Sequence, residues 1–222
     1  MISRIIVLTL LSVNLIACQA LQTPDPAEGK KISAAKINDR LGIAYLDRHD
    51  IQRAKQKFLL ALELAPNIPE PWYSMGYFLE STGNKEQARK YYLKAIKISP
   101  QRGDALNNYG TFLCRAGDYE GAIAYFMKAT KDPQYLERAS AFENAGLCSL
   151  KLPQAKGAMA YFKRALEEDP SRPASLMELA QLNYKEGNYK SARHTLDQYL
   201  QLLPPSMQSY QLEKKIDSKL IA

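Results

Sequence analysis

Three cysteines, Cys18, Cys114 and Cys148, and two histidines, His49 and His194, carry most of the nucleophilic and metal-binding capacity of this 222-residue sequence. Two histidines exclude a histidine-rich metal site, and three cysteines are one short of an all-cysteine zinc site. They are also too few to staple a small scaffold through disulfides. The sequence contains no C-x-x-C, H-E-x-x-H, G-x-S-x-G or glycine-rich phosphate loop. Acidic pairs such as Glu167-Glu168 have the spacing of solvated helix faces. The expectation is a protein with no catalytic residues, no cofactor, no metal site and no small-molecule substrate. What remains is thiol chemistry, either acylation or disulfide formation.

The surroundings of Cys18 select between these. Residues 1–17 hold one early positive charge, Arg4, and then an apolar stretch from Ile5 to Ile16. At ~1.5 Å per residue that stretch is too short to span ~30 Å of hydrocarbon, so it reads as a secretory signal peptide. It ends Leu15-Ile16-Ala17-Cys18, which resembles the bacterial lipobox. The resemblance implies cleavage before Cys18 and acylation of its thiol and amine, giving a firm lipid anchor. Gln19 stands where aspartate is the usual inner-membrane retention signal, which implies the periplasmic face of the outer membrane. Residues 18–33 include two prolines and show no helical stripe. They read as a flexible tether with an r.m.s. reach of about 20 Å.

The body is periodic. Gly42, Gly76 and Gly110 are 34 residues apart, Gly146 follows after 36, and Ala180 after another 34. Twelve residues beyond each stands Ala54, Ala88, Ala122, Ala158 or Ala192, and four later Phe58, Tyr92, Phe126, Phe162 or Leu196. Prolines close four of the units, at Pro66, Pro100, Pro170 and Pro204. This is the tetratricopeptide (TPR) pattern, five repeats over residues 34–204. The fold class is therefore all-α, a superhelical solenoid of antiparallel helix pairs. The small residues let paired helices approach, the large residue fills the space beside them, and proline ends the second helix. Gly83-Asn84, Gly117-Asp118 and Gly187-Asn188 mark the turn between the helices, and His49-Asp50 occupies the same place in the first repeat. His49 is thus a turn residue, and His194 falls on an outer face.

One unit is irregular: Pro133 arrives one residue early, and the connection through Asp132–Glu137 is long. After Pro204 and Pro205, Leu212, Ile216 and Leu220 form one stripe over residues 205–222. This is either a capping helix or the start of a degenerate sixth repeat. Cys114 and Cys148 fall late in the first helices of repeats three and four. There they are either a disulfide in an oxidising compartment or two small buried thiols. By TPR register the concave wall includes Asp39, Ile43, Tyr73, Tyr77, Asn107, Thr111, Arg115, Glu143, Leu147, Met177, Gln181 and Tyr184. That mixed aromatic and polar groove suits an extended or helical partner segment. It lacks the basic clamp that other TPR proteins use for a C-terminal carboxylate.

The chain carries 30 Lys and Arg against 23 Asp and Glu, a formal +7. The cations are spread over every repeat, and an exported lipoprotein does not meet nucleic acid, so an anionic surface or acidic partner is the better match. The lipobox, the repeats, Asn107-Asn108-Tyr109-Gly110-Thr111-Phe112-Leu113-Cys114 and Glu143-Asn144-Ala145-Gly146-Leu147-Cys148 together resemble the PilF/PilW family of type IV pilus biogenesis and stability lipoproteins. The resemblance implies an outer-membrane TPR pilotin whose partners are secretin subunits, and it implies that Cys114 and Cys148 are bridged. A TPR adaptor for another envelope assembly, in cell-wall synthesis or polysaccharide export, is the alternative.

Overall fold

The computed structural model describes residues 26–153, 155 and 157–221; residues 1–25, on which the expected signal peptide, Cys18 and the start of the expected tether fall, lie outside them. Eleven helices follow in order: α1 Pro26–Asp47, α2 Ile51–Leu64, α3 Glu70–Ser81, α4 Lys85–Ile98, α5 Gly103–Arg115, α6 Tyr119–Ala129, α7 Arg138–Ser149, α8 Ala158–Glu168, α9 Pro173–Lys185, α10 Tyr189–Leu202 and α11 Met207–Leu220. The first ten form five antiparallel pairs, each an A helix followed by a B helix, and α11 packs on α9 and α10. Successive A helices touch one another, whereas among the described residues no two B helices do. The A helices therefore form the tighter inner wall and the B helices the outer one.

The repeat residues behave as their chemistry requires. Ala54, Ala88, Ala122, Ala158 and Ala192 are buried to 1% exposure or less, as are Phe58, Tyr92, Phe126, Phe162 and Leu196. A methyl group on Gly42 would lie 2.7 Å from Cε1 of Phe58, and one on Gly146 would lie 2.6 Å from Cε1 of Phe162. Only glycine lets the aromatic ring lie against the helix backbone at these crossings. The same rings reach into the next unit: Phe58 is 5.6 Å from Phe78 and Tyr92 is 5.1 Å from Phe112. Each fully buried ring of this size contributes about 1.5–3 kcal/mol, so cohesion is distributed along the stack.

The turns follow one design. Gly83, Gly117 and Gly187 have φ between 80° and 90°, and His49 takes the same left-handed place at φ 59°. The next residue caps the B helix: Asp50, Asn84 and Asp118 accept from the backbone amides of Arg53, Gln87 and Gly121. His194 is exposed. In the fourth pair the cap position is taken by Gly157 at φ 80°, and neither it nor Asn188 in the fifth pair supplies a side-chain cap.

Three expectations need correction or refinement. Residues 26–33 are not tether: α1 begins at Pro26, and Ile32 and Ala35 pack against Ala61 of α2 and Ala65 just past its end. Proline at its first position helped to hide this helix, because Pro reads as a breaker everywhere except the first turn. The stripe of α11 is only partly buried, since Leu212 and Ile216 are covered but Leu220 is 42% exposed. The irregular connection folds back on the stack. Tyr135 is buried against Gly103 at the start of α5, and the Gly103 amide donates to Asp132 at 2.8 Å.

Candidate functional site: the inner wall

The wall is built from two rows of A-helix residues four apart in sequence, one turn of helix. The first row holds Asp39, Tyr73, Asn107, Glu143 and Met177, and the second Ile43, Tyr77, Thr111, Leu147 and Gln181. Their environments differ sharply.

Most polar members of the first row tie one A helix to the next. The Ser74 hydroxyl donates to Asp39 at 2.8 Å, while the other carboxylate oxygen of Asp39 is buried with no hydrogen-bond partner among the described residues. Burial pushes the Asp39 carboxyl up to about 6, against the opposing pull of the Ser74 hydrogen bond. Asn144 donates to Asn107 at 3.1 Å. Glu143 accepts from Arg172 at 2.7 Å, and from the amide and hydroxyl of Ser175 at 3.1 and 2.7 Å. Burial alone would raise the Glu143 carboxyl, but those donors outweigh it and hold the group below the ordinary range. Thr111 is likewise satisfied, donating to the Asn107 carbonyl of its own helix.

Tyr73 is different. Its hydroxyl makes no hydrogen bond among the described residues, and burial, followed by the nearby carboxylates of Asp104, Glu70 and Asp39, raises it far above the ordinary phenol range. It is a neutral donor at the wall. Arg115 is not a free cation: it grips Glu80 of the preceding A helix with both nitrogens, at 2.7 and 2.6 Å, and Tyr92 donates to the same carboxylate at 3.1 Å. Met177 is a correction. At 6% exposure it belongs to the core with Leu176, Leu196 and Leu212 and is not part of the wall surface.

The second row stays open. Tyr77 and Leu147 are 36% and 37% exposed, and Ile43, Thr111 and Gln181 are half-buried. Tyr77 borders a cleft of about 410 Å³ shared with Glu80, Lys85, Phe112 and Arg115. Gln181 and Tyr184 line a smaller cleft of about 280 Å³ beside Gln208 and Lys215. The wall thus offers an apolar and aromatic line with amide and phenol donors at intervals, on a scaffold fixed by polar ties beneath it. No three His, Cys, Asp or Glu side chains among the described residues are grouped as a metal site would need.

One tie is covalent. Cys114 of α5 and Cys148 of α7 are joined, with Cα atoms 5.9 Å apart. The partners Ser74, Glu80, Arg172, Ser175 and Tyr135 escaped sequence reasoning. A usable signal existed, because the tied pairs are 29 to 37 residues apart, close to one repeat.

Comparison with known proteins agrees with this architecture. Tetratricopeptide repeat models match residues 69–102, 91–124, 113–173 and 150–215. The chain is 31% identical over 194 residues to the type IV pilus assembly protein PilF of Pseudomonas aeruginosa, covering 86% of this chain and 77% of that protein. It belongs to the PilF family. The solved Pseudomonas aeruginosa PilF structure superposes with a TM-score of 0.73 at 28% identity, over 86% of this chain and 91% of that one. PilW, described as a widely conserved type IV pilus biogenesis factor, gives 0.70 at 29% identity, over 84% and 86%. The TPR protein YrrB, described as having an unusual peptide-binding site, gives 0.57 at 20% identity and shares the fold alone. The likeness to the family extends over most of the stack and is not confined to the repeat signature.

Proposed function

We propose that this chain is a non-enzymatic outer-membrane lipoprotein of type IV pilus biogenesis, a TPR pilotin that holds secretin subunits and promotes their localisation and oligomerisation. Membership of the PilF family supports the pilus role. The observation that carries the binding role is the open second row, Tyr77 and Leu147 above all, on a wall whose Asn107, Thr111, Arg115 and Glu143 side chains already have partners. A partner segment lying there buries apolar surface without breaking a structural tie.

In this mechanism lipid on Cys18 anchors the chain to the periplasmic face of the outer membrane. The eleven helices then search a shell of periplasm limited by a short linker. Confining adaptor and client to one surface raises their effective concentration with no new contact. The partner's chain meets Tyr73 and Tyr77, one donating a hydrogen bond and the other offering ring area.

The test is the multimeric state of the secretin in a deletion strain complemented with three forms. The wild type should restore multimers. Cys18→Ala should mislocalise the protein and reduce them, and Tyr77→Ala should leave the protein at the membrane but weaken secretin co-purification. Normal multimers with Cys18→Ala would overturn the pilotin role. Recovery of wall synthases or polysaccharide exporters in place of secretin would favour the adaptor reading.

A further inference from the structure

The first repeat exposes a surface that every later repeat covers. Ile37 and Leu41 of α1 are 50% and 40% exposed. The residues at the position of Leu41 in repeats two to five are Met75, Tyr109, Ala145 and Leu179, all 6% exposed or less, because each packs on the repeat before it. The first repeat has no repeat before it.

The exposed face is an ordered stripe. Lys30, Ala34, Ile37, Leu41 and Ala44 recur at intervals of four and three, one line along a helix of 22 residues, and Arg48 follows in the turn just past its end. Arg40 flanks it, with Asp47 on the same flank two turns on, while Glu28 and Asp39 lie on the opposite side of the helix. Among the described residues Lys30, Arg40 and Arg48 make no ion pair, while several arginines of later repeats do. A terminal face of a solenoid facing water is ordinarily polar. An apolar line edged by free cations is the pattern of a helix lying in the headgroup region of an anionic bilayer.

We infer that the stripe of α1 docks on the anionic lipid surface, so that the solenoid stands end-on to the membrane with its inner wall facing along it. The inference rests on lipidation at Cys18. Pro26 is eight residue steps beyond Cys18, and at about 3.4 Å a step they hold the start of α1 within roughly 27 Å of the bilayer. At that distance even weak lipid contacts become intramolecular.

The experiment removes the acyl chains. Residues 18–222 with Cys18→Ser contain all eleven helices and are mixed with vesicles of phosphatidylcholine, with or without 30% phosphatidylglycerol. Flotation should recover the protein with the anionic vesicles and release it in high salt. The variant Lys30→Glu/Arg40→Glu/Arg48→Glu should bind at least tenfold more weakly, and Ile37→Ser/Leu41→Ser should also weaken binding. Reversal of three exposed lysines elsewhere, Lys90→Glu/Lys97→Glu/Lys163→Glu, should change binding less than threefold; circular dichroism checks that all variants fold. Absent binding, equal binding to neutral vesicles, or equal loss with the control reversal would overturn the inference. So would a sedimentation shift from dimer to monomer on Ile37→Ser/Leu41→Ser, which would make a second copy the occupant. Because no acyl chain is present, failure here leaves the lipidation reading intact. Conversely, a Cys18→Ala protein still found at the outer membrane would overturn that reading without touching the vesicle result.

Discussion

Two seams between neighbouring A helices solve the same packing problem by different chemistry. Between repeats one and two, α1 and α3 meet through the Asp39–Ser74 hydrogen bond, with one carboxylate oxygen buried and unpartnered. Between repeats three and four, α5 and α7 meet through the Cys114–Cys148 bond, the Asn107–Asn144 hydrogen bond and a cluster that includes Tyr92, Tyr109 and Phe112. The covalent seam sits where the solenoid is least regular. There α6 has only 11 residues against 14 in α4, and a non-helical connection follows it. Even so, α6 packs on α7 more extensively than any other B helix packs on the A helix after it, so the bridge adds to that cohesion and does not replace it. The first seam has full-length helices and no bridge; it is held by the apolar cluster of Leu46, Phe58, Met75 and Phe78, with one buried acid beside it whose protonation depends on pH.

Four experiments would sharpen or break this contrast, from the largest effect to the smallest. Cys114→Ser/Cys148→Ser should cost about 3–4 kcal/mol, since the bridge closes a loop of 34 residues. Thermal unfolding should register it, and hydrogen exchange should speed up first in α5–α8. An unchanged melting temperature would mean that aromatic packing alone holds the seam. Gly146→Ala and Gly42→Ala each force a methyl group into a ring and should each cost about 1–3 kcal/mol. Gly146 should be the more sensitive, because Cys148 two residues away ties its helix to α5, and a double-mutant cycle with the cysteine pair should shrink the difference.

Asp39→Asn tests the other seam through pH. The folded-state carboxyl titrates near 6 against an ordinary 3.8, so in that interval the native state binds more protons than the unfolded chain. Stability from this group is present below pH 4, declines as pH rises to 6, and is level above. The Asn variant should therefore gain on the wild type across that window in a melting-temperature series. A constant offset from pH 4 to 7 would show that the acid is not a proton-linked element. Arg115→Ala should have the smallest effect, roughly 0.5–1 kcal/mol. The Arg115 side chain is 47% exposed, and screened pairs contribute little. The pair joins α5 to α3, so a loss above 2 kcal/mol by chemical denaturation would place the main strength of the seam between repeats two and three in that ion pair.

Helix pairs, turns and the buried alanine and aromatic rows were legible in the residues, because close packing at a fixed period tolerates few side chains. His49 was legible as a turn residue from alignment with the glycines that follow the other A helices. The start of α1 was hidden by Pro26, and Tyr135 by lying in a connection with no period. Met177 was placed on the wall by register, yet packing of α11 against α9 and α10 buries it, since the last repeat has a cap where others have a neighbour. Asp39, Asn107, Arg115 and Glu143 were recognised as inner-wall residues, but not as the ties that hold the wall.

The sequence by itself determined the repeat period, the all-α class and the likeness to the PilF family, because each follows from residue types at fixed spacing along one chain. Tertiary structure decided which wall residues are bound to neighbours and which stay open, and which end of the stack is left uncovered. Those outcomes depend on what the next repeat presents across each seam, and a position's own residue does not encode its neighbour's reach.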